Sequence, residues 1–513
     1  MANKLNRILV SILLLVPMAS AGDAFAQVWH QERENGISNV RSESSSPVSL
    51  STNPAESWNA ASISGVFEGG AFHRPDRPAG KRELDLSVGE LNSFGRFRTA
   101  GSLRYRNTRD LARNWNSLIG NDPGNPYVIC DTLADNSSTE RFDIDGVLSW
   151  NISDHWTAGG RIGLTTATLT DSKDPRPRND ISRIPFTLGL EYRFGNGWSA
   201  GVFGGGELFF SKFSNHLEYG QKPYRYYKMK GMGDYFAFSS SESSSAPREY
   251  EGVTFRAGIN LTRAQTAWES FTEAEFITGY ENARDGGSAY EWKAGDYRFT
   301  RILLRERMDF KGALRQSLSV RADVKLMDGY WYDQKQRIDT EHGNISYYEV
   351  MSRYKNNDNL RLVVGADYGV TRDASWNAAL HADFRLEDLT HYADGEPCRQ
   401  SWTLLAIRAD GWKTFSIGRH VLDLAAGAGY VLPLGKAIFA TGNTAPAKDD
   451  ITDVYVSPVF DYETSGKVSA FLRADWVFAP VKRLLPGVFV KGSLERGKEA
   501  GYYGLTAGAF LKF

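Results

Sequence analysis

The sequence predicts an all-β fold, an antiparallel up-and-down transmembrane β-barrel of about 18 strands, in a range of roughly 14–18. Three observations predict it. Segments that alternate apolar and polar residues follow one another from Ile63 to the C-terminus. Short and long connections alternate between these segments, and tryptophans lie beside the short ones. The strand count is even because both ends of the barrel chain are expected on the same side of the membrane.

The alternation is clearest where charged residues separate apolar ones. In 318–326, Leu, Val, Ala, Val and Leu alternate with Ser, Arg, Asp and Lys. Successive side chains of a strand point to opposite faces, so such a segment has one apolar and one polar face. The segments run for about 10–14 residues, which is longer than the strands of most soluble sheets. This length favours a transmembrane barrel over a soluble β-sandwich, in which strands also alternate.

The connections predict which side of the membrane each end of the barrel faces. Short ones, such as 152–155 and 195–197, alternate with long polar ones, such as 107–138 and 327–359. Transmembrane barrels have short periplasmic turns and long extracellular loops, with aromatic girdles at both interfaces. The segment 453–460 is either a strand or part of an outer hairpin. Five tryptophans lie next to short connections: Trp150, Trp156, Trp198, Trp268 and Trp376.

Composition excludes several other classes of protein. Apolar residues make up 41% of the chain, and the mean hydropathy is -0.41. No apolar stretch after residue 26 approaches the roughly 20 residues of a membrane-spanning helix. The 60 basic and 61 acidic residues are mixed along the chain, so nucleic acid is not an expected partner. We find no clustered spacing of metal ligands and expect no cofactor.

The two cysteines, Cys130 and Cys398, both fall in predicted outer loops. Two cysteines are too few for a disulfide-dense scaffold or a Cys-rich zinc site. They can form one disulfide with each other if their Cα atoms come within about 7 Å. The sequence leaves this pairing open.

The N-terminus is typical of a secretory signal peptide covering residues 1–26. Lys4 and Arg7 precede an apolar stretch at 8–18, and Ala24-Phe25-Ala26 fits the cleavage rule, so Gln27 would begin the mature chain. We expect residues 27–60 to form a periplasmic or plug-like segment and residues 61–513 to form the barrel. The chain is therefore expected to be an integral protein of the outer membrane, in contact with its lipid.

The last strand ends on an aromatic residue. Tyr503, Leu511 and Phe513 lie on one face of the final segment. This pattern resembles the C-terminal insertion signal of outer-membrane barrels. The resemblance implies that the barrel-insertion machinery recognises the chain.

The whole arrangement resembles single-chain outer-membrane barrels of Bacteroidota, many of which have no assigned biochemical function. A local feature, Asn53-Pro54-Ala55, lies just before the first predicted strand. It resembles the Asn-Pro-Ala box of the long-chain fatty-acid transporter family. In that family the N-terminal segment folds into the barrel as a hatch, so the resemblance implies the same role for Asn53, Pro54 and Ala55.

Charged residues of both signs are predicted to face the lumen. They could form charged rings of a selective, water-filled channel, or cross-strand ion pairs that fill the barrel. The interleaving of signs favours ion pairs, although the arginines at 96, 98, 104 and 106 form a positive strip that could attract anionic solutes. The candidates are Arg96, Arg98, Arg104, Arg106, Arg305, Arg307, Asp143, Asp145, Glu273 and Glu275.

Aromatic and apolar residues leave two further alternatives open. Phe203, Phe209, Phe271 and Ile277 are predicted to face the lumen, where they line a path for an apolar ligand or pack under a plug. A register error of one residue would also explain them. Trp115, Tyr226, Tyr227 and Trp331 lie in predicted loops, where they bind a partner or form the upper aromatic girdle.

The sequence does not predict an enzyme. No HExxH, GxSxG or Walker motif is present. His381 and Asp383 share a predicted lumen face, but no nucleophile accompanies them. Two functions remain. The first is an outer-membrane transport barrel that passes or gates small solutes through a charged lumen. The second is a plugged barrel that serves as a structural or partner-binding scaffold for surface lipoproteins or a larger receptor.

Overall fold

The computed structural model describes residues 44–52, 57–171, 173–174, 176–216, 224–240, 247–286, 291–341, 343, 345–372, 375–392, 397–440 and 451–513. The predicted signal peptide lies outside the described residues. So do Asn53, Pro54 and Ala55 of the predicted hatch.

Eighteen antiparallel strands form one sheet. Each is long enough to cross a membrane when tilted. In chain order the barrel strands are β1 (Trp58–Gly70), β2 (Gly80–Phe94), β3 (Phe97–Arg113), β5 (Asp135–Asn151), β6 (Trp156–Asp171), β7 (Pro177–Arg193), β8 (Trp198–Asn215), β11 (Arg248–Ala264), β12 (Trp268–Asp285), β13 (Trp292–Phe310), β14 (Arg315–Asp339), β15 (Ile345–Arg372), β16 (Trp376–His391), β17 (Cys398–Ile417), β18 (His420–Ala440), β19 (Lys467–Val477), β20 (Leu485–Arg496) and β21 (Gly501–Lys512).

The sheet closes on itself because the first strand pairs with the last. Ile63 of β1 is the register partner of Leu86 on β2 and of Ala509 on β21. Closure leaves no sheet edge with unpaired backbone groups, which a bilayer would not tolerate. The predicted fold class is confirmed: the chain is an all-β, up-and-down transmembrane barrel, and 18 is its strand number.

The two ends of the barrel differ as predicted. At one end, here the turn end, connections are short, such as 95–96, 152–155 and 194–197. The opposite end, here the loop end, carries the long connections, such as 114–134 and 216–247. In transmembrane barrels the short turns face the periplasm and the long loops face outward.

The long polar segment 327–359 is not the loop that the sequence predicted. Strands β14 and β15 continue through it for 25 and 28 residues, with Trp331 paired to Tyr354, and only 340–344 connects them. A hairpin that projects beyond the bilayer needs no apolar outer face. Its sequence therefore lacks the alternation by which the other strands were recognised.

The remaining described elements lie inside or above the barrel. A three-stranded sheet consists of β4 (Ile129–Cys130), β9 (Tyr224–Gly231) and β10 (Asp234–Ser240). The helix α1 spans Ser49–Thr52, a π-helical turn spans Thr452–Val456, and α2 follows at Ser457–Thr464. The segment 453–460 is therefore helical and not a strand, and it lies in the loop-end connection between β18 and β19. Pro458 suits the first turn of α2.

No helix among the described residues is long and apolar enough to cross a membrane.

Side-chain exposure separates the two faces of the barrel wall. Outward-facing apolar residues are strongly exposed, for example Leu472 at 70% and Ile162 at 64%. On the lumen face, Glu273 is 1% exposed and Asp475 is 0% exposed. Apolar residues thus cover the surface that contacts lipid acyl chains, while polar residues are buried inside.

Candidate functional site

All but one of the predicted lumen charges lie on the lumen face of the wall. Arg98, Arg104 and Arg106 alternate with outward residues on β3, and Asp143 and Asp145 do so on β5. The same holds for Glu273 and Glu275 on β12 and for Arg305 and Arg307 on β13. Arg96 is the exception. It lies in the turn between β2 and β3, where its guanidinium donates to the carbonyl of Ile152 at 3.1 Å.

Most of these charges are engaged in ion pairs. Arg104 pairs with Asp85. The other pairs are Arg106–Asp143 at 2.9 Å, Arg161–Asp145 at 2.8 Å, Arg305–Glu273 at 2.7 Å and Arg307–Asp309 at 2.9 Å. Opposite charges on neighbouring strands stabilise the wall. Arg104 and Arg106 of the predicted positive strip are therefore compensated by acidic residues.

A loop at 114–134, here the plug loop, folds back into the loop half of the lumen. Asp122 lies 2.6 Å from the Lys325 ammonium and accepts a hydrogen bond from the Tyr297 hydroxyl at 2.9 Å. Asn125 donates to Glu281 at 2.8 Å. Burial alone would raise the pKa of the Asp122 carboxyl. Lys325 and the hydrogen bonds lower this pKa by more than burial raises it, so the net shift is downward.

Apolar packing completes the contact of the plug loop with the wall. Leu118, Tyr127 and Ile129 form one buried cluster with Phe209 and Phe213 of β8. Phe209 therefore packs under a plug. Phe203, Phe271 and Ile277 are likewise buried on the lumen face, as the predicted register requires: they are 5%, 2% and 6% exposed.

Strands β9 and β10, here the cap hairpin (224–240), cover the plug loop and are fixed to the wall by charged groups. Lys228 lies 3.0 Å from Asp285, which also binds Arg248 at 2.6 Å. His391 lies 3.2 Å from Asp234. Lys228 and Asp234 thus connect the hairpin to β12 and β16. Asp285 extends the first connection to Arg248 of β11.

Three of the loop aromatics are buried within this assembly: Trp115, Tyr226 and Tyr227. They pack against one another and their neighbours, with Trp115 stacked on Tyr455 at a centroid distance of 5.0 Å. They are thus neither an exposed binding surface nor an upper girdle. Trp331 is half-buried and faces Tyr127 at 6.2 Å.

The disulfide that the sequence allowed between Cys130 and Cys398 is not formed. Cys130 lies in β4 within the plug loop, fully buried, and its thiol donates to the Tyr227 carbonyl at 3.7 Å. Cys398 begins β17 in the wall and pairs in register with His391. Burial raises the pKa of the Cys130 thiol, so this cysteine is a poor nucleophile.

The N-terminal segment, residues 44–52, occupies the turn half of the lumen. Ser44 donates a hydrogen bond to Glu273, and Ser45 donates to Glu275 at 2.9 Å. Val48 is 0% exposed. Arg193, near the turn end of β7, donates to the Ser51 hydroxyl at 3.2 Å. Two of the predicted lumen carboxylates thus hold this segment rather than line an open channel.

A cavity of about 270 Å³ lies on the lumen face of β17–β21 and β1. Its lining has both charge signs and aromatic rings: Glu68, Arg408, Phe471, Lys491, Glu495 and Tyr502. Arg408 is solvated, with 53% of its side chain exposed. The Lys491 ammonium lies 5.2 Å from the Phe471 ring centre. The cavity can therefore accept a small polar or charged molecule.

The α2 helix lies at the loop end beside this cavity, and we call residues 452–464 the lid helix. Tyr462 donates to Glu495, a cavity residue, at 2.9 Å. Glu463 pairs with Arg74 at 3.1 Å and with Arg385 at 3.8 Å. Phe460 packs edge-on against Trp402. Phe460 also contacts Phe439, and Tyr455 is stacked on Trp115 of the plug loop. Polar and aromatic contacts thus join the lid helix to the barrel and to the plug loop.

His381 and Asp383 do not form a catalytic pair. His381 is held between Asp367 at 2.5 Å and Asp410 at 3.0 Å, and Asp383 binds Arg321 at 2.5 Å. In the described part of the chain, no group of three His, Cys, Asp or Glu residues is placed to hold a metal ion.

Sequence reasoning missed the residues that close the lumen, among them Asp122, Glu281, Lys325, Arg248 and Asp285. The lumen-facing positions of the residues on β11, β12 and β14 follow from strand alternation. No pattern in 114–134 indicates that this loop turns inward. Some of its partners are far away in the chain, as Lys325 is from Asp122.

A model of a family of unknown function, DUF6850, matches residues 47–510. No curated protein sequence matches the chain. Among solved structures, the chain is similar to the siderophore receptor PirA from Acinetobacter baumannii, with 9% identity, a TM-score of 0.40, and coverage of 89% of this chain and 80% of that one.

Two other solved structures have comparable scores. A mutant of the ferric enterobactin receptor PfeA from Pseudomonas aeruginosa is 11% identical, with a TM-score of 0.37 and coverages of 88% and 80%. The RagAB peptide transporter is 7% identical, with a TM-score of 0.40 and coverages of 89% and 86%. Such values support no statement about cargo or partner. The hatch role of Asn53, Pro54 and Ala55 stays a prediction, because these residues lie outside the described part of the chain.

Proposed function

The chain belongs to the DUF6850 family, whose function is unknown, and we propose that it is a gated transport barrel of the outer membrane, described here in a closed state. In this proposal small polar or charged solutes pass along the β17–β1 side of the lumen. In this proposal the barrel-insertion machinery recognises Tyr503 and Leu511 of the closing strand β21 and Phe513, which directly follows it. No cofactor is required.

The observation that carries this proposal is the mixed-charge cavity beside the lid helix. A structural barrel gains stability from a filled lumen, because interiors pack at high density. This lumen is filled by the plug loop and the N-terminal segment on one side. It keeps a solvated space on the other side, with Arg408 half exposed within it. A polar space next to a helix that polar bonds hold to the barrel wall suits gated passage of a solute.

The ion pairs of the lumen bear on selectivity. Arg104 and Arg106 are paired with Asp85 and Asp143, so their field is largely cancelled at a distance. We therefore expect the pathway to discriminate weakly by charge sign. The size of the cavity and its aromatic groups, Phe471 and Tyr502, would contribute more to the choice of solute.

Opening of the lid helix is testable by single-channel conductance of the refolded mature protein. We expect the native chain to be closed most of the time. The substitution Tyr462→Phe removes the hydrogen bond to Glu495, and Glu463→Gln removes the ion pairs with Arg74 and Arg385. The double variant should open at least about tenfold more often, since hydrogen bonds to charged groups are strong. Arg399→Gln, which breaks an exposed ion pair with Asp388 on the outer face, is the control and should leave conductance unchanged.

A plugged scaffold is the second candidate, favoured by the projecting β14–β15 hairpin. This hairpin exposes Ile338 at 62% and Met351 at 57%, beyond the bilayer, where a surface lipoprotein or a larger receptor could dock. The conductance experiment separates the two functions. A Tyr462→Phe, Glu463→Gln barrel that is folded but as silent as the native chain would contradict gating by the lid helix and favour the scaffold.

A further inference from the structure

Two arginines face each other on the outer surface of the barrel. Arg82 of β2 and Arg109 of β3 are direct register partners, and both are exposed. Residues directly opposite each other in an antiparallel pair have Cβ atoms about 4.5–5.5 Å apart, and like charges in such positions destabilise the sheet. This pair therefore needs a compensating negative charge.

The described part of the chain does not supply that charge. Neither guanidinium has an ion pair or hydrogen bond there. The neighbouring acids face the lumen, where Glu83 pairs with Lys81 at 3.8 Å and Asp110 pairs with Arg113 at 3.0 Å.

One acid, Glu140, does face outward beside this pair. It lies two residues from Ser138, the register partner of Arg109. Its hydrogen bonds come from Tyr105 at 3.5 Å and Asn107 at 3.4 Å instead.

The pair lies at the upper edge of the apolar belt. Phe67, the register partner of Arg82, is 55% exposed, and Leu84 and Leu86, toward the turn end, are 43% and 38% exposed. Arg82 precedes them on the way to the loop end. A residue at this height meets lipid headgroups rather than acyl chains.

We propose that Arg82 and Arg109 together bind a phosphate group of a lipid headgroup in the outer leaflet. A guanidinium forms paired, charge-assisted hydrogen bonds with phosphate oxygens. A phosphate between the two side chains converts their mutual repulsion into two attractive contacts. The lipid belt beneath the pair holds acyl chains next to Phe67, Leu84 and Leu86. The site depends on the placement of the barrel in the membrane and not on whether the barrel opens.

The chain offers a matched control at the same level of the wall. Arg109, Ser138, Thr170 and Arg178 are linked in register across β3, β5, β6 and β7. Arg178 is also outward and exposed, but it already pairs with Asp180 at 2.8 Å. It should therefore contribute little to binding of an anionic headgroup.

The test is binding of diphosphorylated lipid A to the folded full barrel in neutral detergent, followed by native mass spectrometry and compared with dephosphorylated lipid A. We expect about fivefold weaker binding for Arg82→Gln or Arg109→Gln and about 30-fold weaker binding for the double variant. Arg178→Gln should bind as the native chain does. Dephosphorylated lipid A should bind equally weakly to all of them.

Thermal unfolding of the folded barrel is a second measurement of the same site. In neutral detergent without lipid, the double variant should melt at a higher temperature than the native chain, because repulsion is removed. Added lipid A should stabilise the native chain and not the double variant, and inorganic phosphate alone should reproduce only a small part of this effect. Equal lipid A binding by the native and double-variant barrels would overturn the site. Equal stabilisation by inorganic phosphate and lipid A would overturn its assignment to lipid.

Discussion

At the scale of single residues, pairing decides what the lumen charges do. Arg305 and Glu273 lie on neighbouring strands at 2.7 Å, and Arg473 and Asp475 lie two residues apart on one strand at 2.7 Å. Buried charges are tolerated when paired and hydrogen-bonded. The interleaved signs of the sequence thus correspond to a bonded network rather than to rings of free charge.

The ion triad of Arg248, Asp285 and Lys228 gives a prediction at this scale. Asp285→Asn leaves two buried cations facing each other, and we expect docking of the cap hairpin to weaken by about 3–5 kcal/mol. Lys228→Met keeps the Arg248–Asp285 pair and replaces the ammonium by an apolar group, so its effect should be much smaller. Hydrogen exchange of residues 224–240 in the folded barrel measures both. Equal exchange rates in the two variants would contradict this account of the triad.

At the scale of elements, the loops that close the lumen are built differently. The plug loop combines an apolar cluster around Tyr127 and Ile129 with the buried Asp122–Lys325 pair. The lid helix buries fewer residues, Val456 and Phe460, although its Tyr455 is stacked on Trp115 of the plug loop. Since local opening is easiest where buried contacts are few, we expect the lid helix to move before the plug loop does.

Docking of the plug loop should depend on pH through Asp131. Burial raises the pKa of this carboxyl to about 6, and Asp171 and Asp135 raise it as well. A pKa that is raised in the docked state favours docking when the group is protonated. The contribution is therefore complete at low pH and is lost as pH rises through about 6.

Limited proteolysis of the plug loop measures this effect. Cleavage should be faster at about pH 7.5 than at about pH 5, by roughly an order of magnitude after correction for the protease itself. Asp131→Asn resembles the protonated form and should show slow cleavage at both pH values. Arg113 and Lys173 lie in the same small pocket as Asp131. A pH effect that persists in Asp131→Asn would assign it to another group.

At the scale of the whole molecule, the wall and the contents of the lumen are separable. All 18 strands lie within Trp58–Lys512, and β1 closes on β21 without help from residues 44–52. The N-terminal segment contacts the lumen face through Ser44, Ser45 and Ser51. Its removal should leave the barrel folded.

Deletion of residues 27–52 tests the proposed hatch. With the native lid helix, we expect the truncated barrel to remain closed at the loop end. Combined with Tyr462→Phe and Glu463→Gln, the deletion should increase the conductance of each opening by roughly twofold, because the turn half is then unobstructed. Single-channel conductance is measured for the truncated chain with and without the lid substitutions. It is compared with that of the full-length chain with and without the same substitutions. Conductance that is unaffected by the deletion in both backgrounds would show that the segment is not a hatch.

The sequence by itself determined the wall of this protein. Strand alternation, unequal connections and the tryptophans beside short turns predict the fold, its orientation and the strand number. They also predict the lumen register of all the charge candidates except Arg96. These features are local, since the face of a strand residue follows from its position within a few residues. Arg96 was misplaced because a tight turn interrupts the alternation one residue before β3 begins.

Only the tertiary structure decided what lies within the wall. The inward fold of the plug loop depends on residues far apart in the chain. The lid helix and the opposed Arg82 and Arg109 depend on contacts between separate elements. A polar loop has the same composition whether it meets water outside or paired charges inside. Its position follows from the partners that the barrel wall presents to it, such as Glu281 of β12 and Lys325 of β14.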